Sequence, residues 1–320
     1  MPAARMSDAE FIAVWMEHLS AAAVAKATGL RERLVHTMRR RVEAKMNIVL
    51  PANSLSSAAA RLRLPDDGVR LGMDVEDGVV IIGSDAHYWP GVNSTAHRAF
   101  VTAARELKPV AIVMNGDDLD GGNVSRHGRI GWETRPSHKQ ELDILQTRLG
   151  EIHHARPGAQ FIRTRGNHDI RYDSYLAAMA PAMEGIFGSC LTDFLPQWQH
   201  GWSIMVNDGE LMIKHRYHNG IHAVYNNIVK GGISMATGHL HSLKVTPWTD
   251  YTGTRYGIDT GTLANPWGPQ FHYMEDGPRN WRSGFAVLTF HKGKLLPPEL
   301  LHVIDEDEGT VSFRGQVVKV

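Results

Sequence analysis
A single cysteine, Cys190, in a chain of 320 residues leaves no internal disulfide to form and fits a reducing compartment. Charge of one sign is also missing. The 34 Lys and Arg balance 34 Asp and Glu, so any affinity for a polyanion must come from a local patch. No apolar run approaches the roughly 20 residues a membrane helix needs, so no membrane partner is expected. The opening MPAARMSDAEFIAVWMEHLS has no long apolar core behind its basic residues; a secretory leader is not expected, and the expected location is cytoplasmic. Internal repeats and low-complexity tracts are lacking too. With 42% hydrophobic and 21% charged residues, the chain has apolar material for one large domain, or for a large one plus a small one.

Three segments of unequal character follow one another. Residues 1–47 read as a small all-α module: Phe11, Val14 and Trp15 share one face behind a Ser7 cap, and Leu34, Val35, Met38 and Val42 do so later. Between them, SAAAVAKATGLRERLVHTMRRR gives an Ala-rich helix, a turn at Gly29 and a basic helix. That is the pattern of a helix-turn-helix, whose second helix enters the DNA major groove. Arg31, Arg33, Arg39, Arg40 and Arg41 are the candidate DNA contacts, opposed locally only by Glu32 and Glu43. The alternative is a solvated basic face on a bundle used for packing or oligomerisation. Residues 48–75 read as a linker, PANSLSSAAA, followed by a hairpin in RLRLPDDGVRLGMDV that turns at Asp66-Asp67-Gly68. Residues 76–320 form the large domain.

In that domain, strands end in polar residues and alternate with helices. VVIIGSDAH is followed by a helix near STAHRAFVTAARELKP, and VAIVMNGDDLD by one in SHKQELDILQTRLGEIHHARPG; QFIRTRGNHD ends a third strand. This alternation predicts a mainly parallel α/β sheet, with ligands gathering beyond the carboxyl ends of its strands. SIMVNDGELMIKH predicts a hairpin around Asn207-Asp208-Gly209, GISMATGHLHS a strand ending in histidines, and the tail antiparallel strands. The expected architecture is a layered α/β sandwich with added antiparallel strands.

The chain holds 18 histidines, and several sit at those strand ends beside acids. Asp117, Asp118 and Asp120 fall within four positions, where carboxylates repel unless protonated or bridged by cations. Asp85 and His87 form an i, i+2 pair, as do His239 and His241; Gly166-Asn167-His168-Asp169 adds an amide, an imidazole and a carboxylate, and His215 closes the hairpin. Asp, His and Asn donors without thiolate suit divalent ions such as manganese, iron or zinc, with nickel also possible, rather than a structural cysteine–zinc site.

Each of these signals alone is weak, but the ordered set DxH, GDxxD, GNHD, H and GHxH, from about Val79 onward, resembles the calcineurin-like metallophosphoesterase superfamily. The resemblance implies its layered sandwich fold and two divalent ions, with manganese the expected pair. One ion would be held by Asp85, His87, Asp117 and His241, the other by Asp117, Asn167, His215 and His239, so that Asp117 bridges. Asp120 would support the ligands from behind and Asp118 would be a solvated or capping acid. Two such ions acidify a shared water, which attacks the phosphorus while the ions clamp attacking and leaving oxygens. His168 would assist the leaving oxygen, with Asp169 orienting its ring.

The substrate is read from departures within the pattern. Protein phosphatases of this superfamily carry GDxxDRG and GNHE, whereas here Gly121-Gly122 follows Asp120 and the third motif ends in Asp169. The expectation is therefore a phosphodiesterase, DNA its expected substrate and the helical module its recruiter. The chain also looks similar to phosphoesterases of tailed bacteriophages, which would act in the host cytoplasm. Arg126, His127 and Arg165 are candidate phosphate contacts, with Arg171 a second cation flanking the third motif. Trp267, Phe271, Tyr273 and Trp281 are candidate base-stacking residues, unless that loop simply packs. His153 and His154 are expected to face solvent, and His218 and His222 to line the site. A small-molecule phosphoesterase, or a DNA-binding assembly protein that retains the domain as a scaffold, is the alternative function.

Overall fold
A computed structural model describes residues 6–46, 48, 50 and 69–320, which fall into two compact units divided after residue 62. The first unit holds α1 (Asp8–His18), α2 (Ala21–Thr28) and α3 (Glu32–Met46). Ser7 caps α1 by accepting from the Glu10 amide, while the Glu10 carboxylate accepts from the Ser7 amide, so the first turn's free N–H groups are met locally. Gly29, at φ 70°, ends α2 in the left-handed conformation glycine adopts without steric cost. Phe11, Trp15, Val24, Val35 and Val42 form the core of this bundle. Leu34, expected on that face, is exposed instead.

The basic helix is less free than its sequence suggests. The Arg39 guanidinium lies 4.7 Å above the Trp15 ring and donates to Glu43 at 2.8 Å and to the Leu50 carbonyl at 2.7 Å. Two of its five donors are thus used within the unit, which ties Arg39 to the bundle more closely than its sequence suggests. Arg41 and Lys45 both pair with Asp8. Arg31, Arg33 and Arg40 are exposed.

The second unit is built on two sheets. One runs in the order β15 (Gln316–Lys319), β14 (Thr310–Phe313), β13 (Glu299–Asp305), β11 (Gly284–His291), β2 (Gly78–Gly83), β3 (Ala111–Met114), β4 (Gln160–Thr164), β5 (Gln199–Gly201), with β12 (Lys294–Leu295) pairing β11. Its β2–β3–β4–β5 half is parallel, and the β11–β13–β14–β15 half is an antiparallel meander, as the sequence suggested. The other sheet runs β1 (Arg70–Met73), β6 (Ser203–Val206), β7 (Leu211–Lys214), β8 (Ser234–Thr237), β10 (Gly253–Asp259), β9 (Lys244–Asp250). The hairpin between β6 and β7 turns at Asn207–Gly209.

Strand alternation sorts the side chains into layers. Val80, Ile82, Val113 and Ile162 of the first sheet meet Ile204, Val206, Ile213, Ala236 and Ile258 of the second between the sheets. Ile81, Ile112 and Met114 face the other way, against Phe100 of α4 (Thr95–Glu106) and Leu145 and Leu149 of α5 (His138–Ala155). On the far side of the second sheet, Met212 and Met235 pack on Ile228 of α7 (Ala223–Gly231). The result is helix, sheet, sheet, helix. Each fully buried aliphatic in these layers contributes about 1.5–3 kcal/mol against exposure.

Within the stretch read as linker and hairpin, β1 is an edge strand that pairs in parallel with β6, Arg70 beside Ser203. The turn expected at Asp66-Asp67-Gly68 lies outside the described residues.

Candidate metal centre
The loops after β2, β3, β4, β7 and β8 leave the two sheets at adjoining carboxyl ends, and each carries one of the sequence motifs. Backbone pairing continues past the strands. Asp85 and His87 donate to the carbonyls of Gly116 and Asp117 at 2.8 and 3.0 Å, and Gly238 donates to that of His215 at 2.9 Å. Asp85, His87, Asp117, His239 and His241 all have positive φ, between 39° and 71°. Non-glycine residues rarely adopt that conformation, and it persists where surroundings enforce it, commonly at ligand sites.

Three glycines of the motifs are required by close approach. A Cβ on Gly166 would lie 2.0 Å from Asp117 Oδ1, and one on Gly238 would lie 2.4 Å from Asp85 Oδ2. One on Gly116 would lie 2.7 Å from His215 Nδ1. Each glycine clears room for a candidate donor side chain.

The donors gather in three groups, one of them His87, Asp120 and His168. Ligand atoms of Asp85, His87 and His241 lie within 4.8 Å of one another, as do those of Asp117, His215 and His239. Four buried donor atoms in this region, His87 Nε2, Asn167 Oδ1, His215 Nε2 and His241 Nδ1, have no hydrogen-bond partner. Buried polar atoms are nearly always paired, so four orphans aimed into one acidic pocket mark a place for cations. The opposite ring nitrogens are held. His215 Nδ1 donates to the Asn115 carbonyl at 2.8 Å, and His87 Nδ1 lies 3.1 Å from Asp120 Oδ1, which leaves each Nε2 as the free donor. The residues present fit a pair of divalent ions.

Electrostatics agree. Burial works against charge on Asp117, yet His215 beside it holds its carboxyl well below the usual range. Burial likewise opposes an imidazolium at His215, but Asp117 and Asp85 push it up to about 10. In the metal-free chain, an imidazolium therefore offsets the acids.

Two aspartates behave differently from expectation. Asp118 is fully buried, accepting from Arg163 Nε at 2.7 Å, so it is neither solvated nor a cap. Asp169 does not touch the His168 ring. Its carboxylate accepts from the amides of Asp117 (2.8 Å), Gly166 (3.0 Å) and Leu119 (3.2 Å) and from Arg163 Nη2 (3.2 Å). It staples the second and third motifs together, and the expectation that it orients the His168 ring is corrected. His168 is oriented by others: Nδ1 donates to the Asp120 carbonyl at 2.9 Å, and Nε2 accepts from Arg171 Nη2 at 3.0 Å. Asp120 Oδ1 lies 3.1 Å from His87 Nδ1.

Beside His168 opens a cavity of about 520 Å³, bounded in part by Asp120, His127, Arg135, Arg171 and Tyr273. His127 reaches it; Arg126 is exposed and does not line it, and Arg165 lies over Trp202 instead. Of the candidate stacking residues, Phe271 is fully buried, packed edge-on to His87, and Trp281 lies against His241. Trp267 is exposed and Tyr273 half-exposed. His153 is half-buried against Phe161 rather than solvent-facing. His218 and His222 join none of these donor groups among the described residues.

Sequence reasoning missed three supports. Asn115 fixes His215 through its carbonyl and ties to Thr164 through its side chain. Asp259 accepts from Ser242, Leu243 and Gly261 and so holds the loop that carries His241. Arg163 bridges Asp118 and Asp169. Only Asn115, adjoining the second motif, carried a local sign.

No family model matches the sequence. The chain is similar to the Gene 54 protein of Mycobacterium phage L5, at 29% identity over 247 residues that cover 70% of this chain and 92% of that protein. Among solved structures, it is similar to a dimetal phosphatase from Danio rerio, at 9% identity over 71% of this chain and 96% of the other, TM-score 0.35. It is also similar to nuclease MPE of Pseudomonas putida, at 11% identity over 70% of this chain and 84% of the other, TM-score 0.29.

The close approach at Gly166 makes a direct test. Gly166→Ala is expected to bind fewer than half the manganese ions of the unaltered chain while keeping its far-ultraviolet circular dichroism, both measured on the same sample. Full metal stoichiometry would contradict the packing argument.

Proposed function
We propose that the chain is a calcineurin-like metallophosphoesterase that hydrolyses phosphodiesters, DNA in particular, with two divalent ions. Manganese is the expected metal, and iron, zinc or nickel would suit the same donors. The observation that carries this reading is the set of four orphaned donors beside Asp85 and Asp117. Asp85, His87, Asp117 and His241 would hold one ion, and Asp117, Asn167, His215 and His239 the other. When bound, such a pair supplies a water that ionises near neutral pH and positive charge against the phosphoryl oxygens.

The chain's own residues do the rest. A carbonyl can only accept, so the Asp120 carbonyl fixes the proton of His168 on Nδ1 and turns Nε2 outward. The Asp120 carboxylate, 3.4 Å from Nδ1, favours the doubly protonated ring. Once Arg171 Nη2 no longer donates to it, Nε2 can take up the second proton and pass it to a leaving oxygen. Phe271 and Trp281 cover His87 and His241 and keep bulk water off those rings.

A second reading has one observation in its favour. The cavity of about 520 Å³ is of the size that encloses a small molecule, which suits a nucleotide-sized diester as well as a polymer end. The similarity to a phage protein fits action in a host cytoplasm, and no helix among the described residues is long and apolar enough to cross a membrane. DNA contact by the helical unit would rest on Arg31, Arg33 and Arg40. Self-association through that unit is the alternative.

Manganese-loaded protein should cleave single- or double-stranded DNA and bis(p-nitrophenyl) phosphate, and lose both activities to a chelator. His168→Ala is expected to retain its metals and lose about 100- to 10,000-fold in turnover. Hydrolysis of the chromogenic diester with DNA left intact would move the assignment to a small-molecule enzyme, and silence on every substrate would leave a scaffold. In the full chain, replacing Arg31, Arg33 and Arg40 together by alanine should flatten the slope of log K against log salt for DNA by about 2 to 3. An unchanged slope would remove the helical unit from DNA binding.

A further inference from the structure
The geometry points to Arg171 as the residue that binds the substrate's phosphate, an inference that rests on the phosphoesterase reading above. Arg171 is the second residue of α6 (Ile170–Met179), directly after the GNHD segment. Its amide donates to the His168 carbonyl at 3.0 Å, which fixes the start of the side chain beside the site. The side chain then runs back over Gly121. A Cβ there would lie 3.4 Å from Arg171 Cδ and 3.5 Å from its Cβ, so the bare glycine at φ 65° lets the stem lie flat.

The guanidinium ends between the candidate metal centre and the cavity. Nη1 donates to the Asp120 carbonyl at 2.9 Å, and Nη2 donates to His168 Nε2 at 3.0 Å. Both acceptors are neutral. The other arginines nearby are committed to carboxylates: Arg163 to Asp118 and Asp169, Arg135 to Glu133, and Arg148 to Glu151. Arg135 also lines the cavity, but it donates to three backbone carbonyls as well. Among the described residues no carboxylate forms an ion pair with Arg171, although it lines the same cavity as Asp120 and His168. A guanidinium has five N–H donors in a planar fork, and here two are used, on uncharged acceptors. The remaining edge matches the paired oxygens of a phosphate, for which arginine is suited by shape as well as charge.

Substrate binding then exchanges one hydrogen bond for another. Arg171 Nη2 leaves His168 Nε2 for a non-bridging phosphate oxygen, and Nε2 is freed to face the leaving oxygen. No bond is made or broken in this step. The cations expected to reach phosphate, Arg126 and Arg165, do not line the cavity.

The test compares Arg171→Ala and Arg171→Lys with the unaltered, manganese-loaded chain. Calorimetry reads the binding of inorganic phosphate, the metal content is counted on the same samples, and bis(p-nitrophenyl) phosphate gives KM and kcat. Loss of a charge-assisted contact predicts a phosphate Kd raised about 10- to 100-fold in Arg171→Ala, a KM raised alongside it, and partial recovery in Arg171→Lys. Metal content should be unchanged in both variants. Phosphate affinity and KM equal to those of the unaltered chain would overturn the inference while leaving the phosphoesterase reading intact. So would a fall in kcat alone, which would mean that Arg171 only orients His168, and so would loss of metal, which would make it structural. If the unaltered chain neither hydrolyses the diester nor binds phosphate, both readings fall together.

Discussion
Asp85 and Asp117 follow neighbouring parallel strands and lie buried at their carboxyl ends. Two ionised carboxylates held that way repel, and removing them from water costs several kcal/mol each unless cations compensate. Much of the surrounding structure answers that constraint. His241 Nε2 lies 3.0 Å from Asp85, and His215 Nε2 lies 3.1 Å from Asp117 without hydrogen-bond geometry. Of the two, His215 is held as an imidazolium by Asp117 and Asp85, and its Nε2 is a donor suited to a metal ion.

Holding such a cluster requires a frame that does not relax around it. The frame is supplied by parallel strands whose ends coincide, by glycines that admit side chains to within contact of the backbone, and by a buried Asp118–Arg163–Asp169 bridge behind the donors. Asp169 alone collects three backbone amides from two loops. Five of the seven expected ligands adopt positive φ, at a cost of about 1–3 kcal/mol each, which the packed sheets beneath must offset. The fold therefore holds the donors close together by its own packing.

The layered architecture and the positions of the donors were legible in the sequence because both are local patterns. Apolar strand runs announce the sheets, and polar residues directly after them announce the carboxyl-end loops. What the sequence hid is set by distant partners. Asp118 reads as a surface acid until Arg163, inside β4, is found beside it. Asp169 adjoins His168 in the chain, yet its oxygens turn to the amides behind the loops. Among the described residues Arg70–Met73 pairs with a strand more than a hundred residues away, a partner no local pattern announces. Arg39 looks like one cation of a basic face until Trp15 and Glu43 claim it. Phe271 looks like a stacking platform, and burial against His87 makes it a wall instead.

The central claim, that one acid joins two ions, is tested most directly by electron paramagnetic resonance of the chain titrated with manganese. The account predicts two ions per chain and the spectrum of an exchange-coupled pair, reduced in Asp117→Asn to the signal of isolated ions. One ion or none per chain, or two uncoupled ions that are indifferent to Asp117, would contradict it.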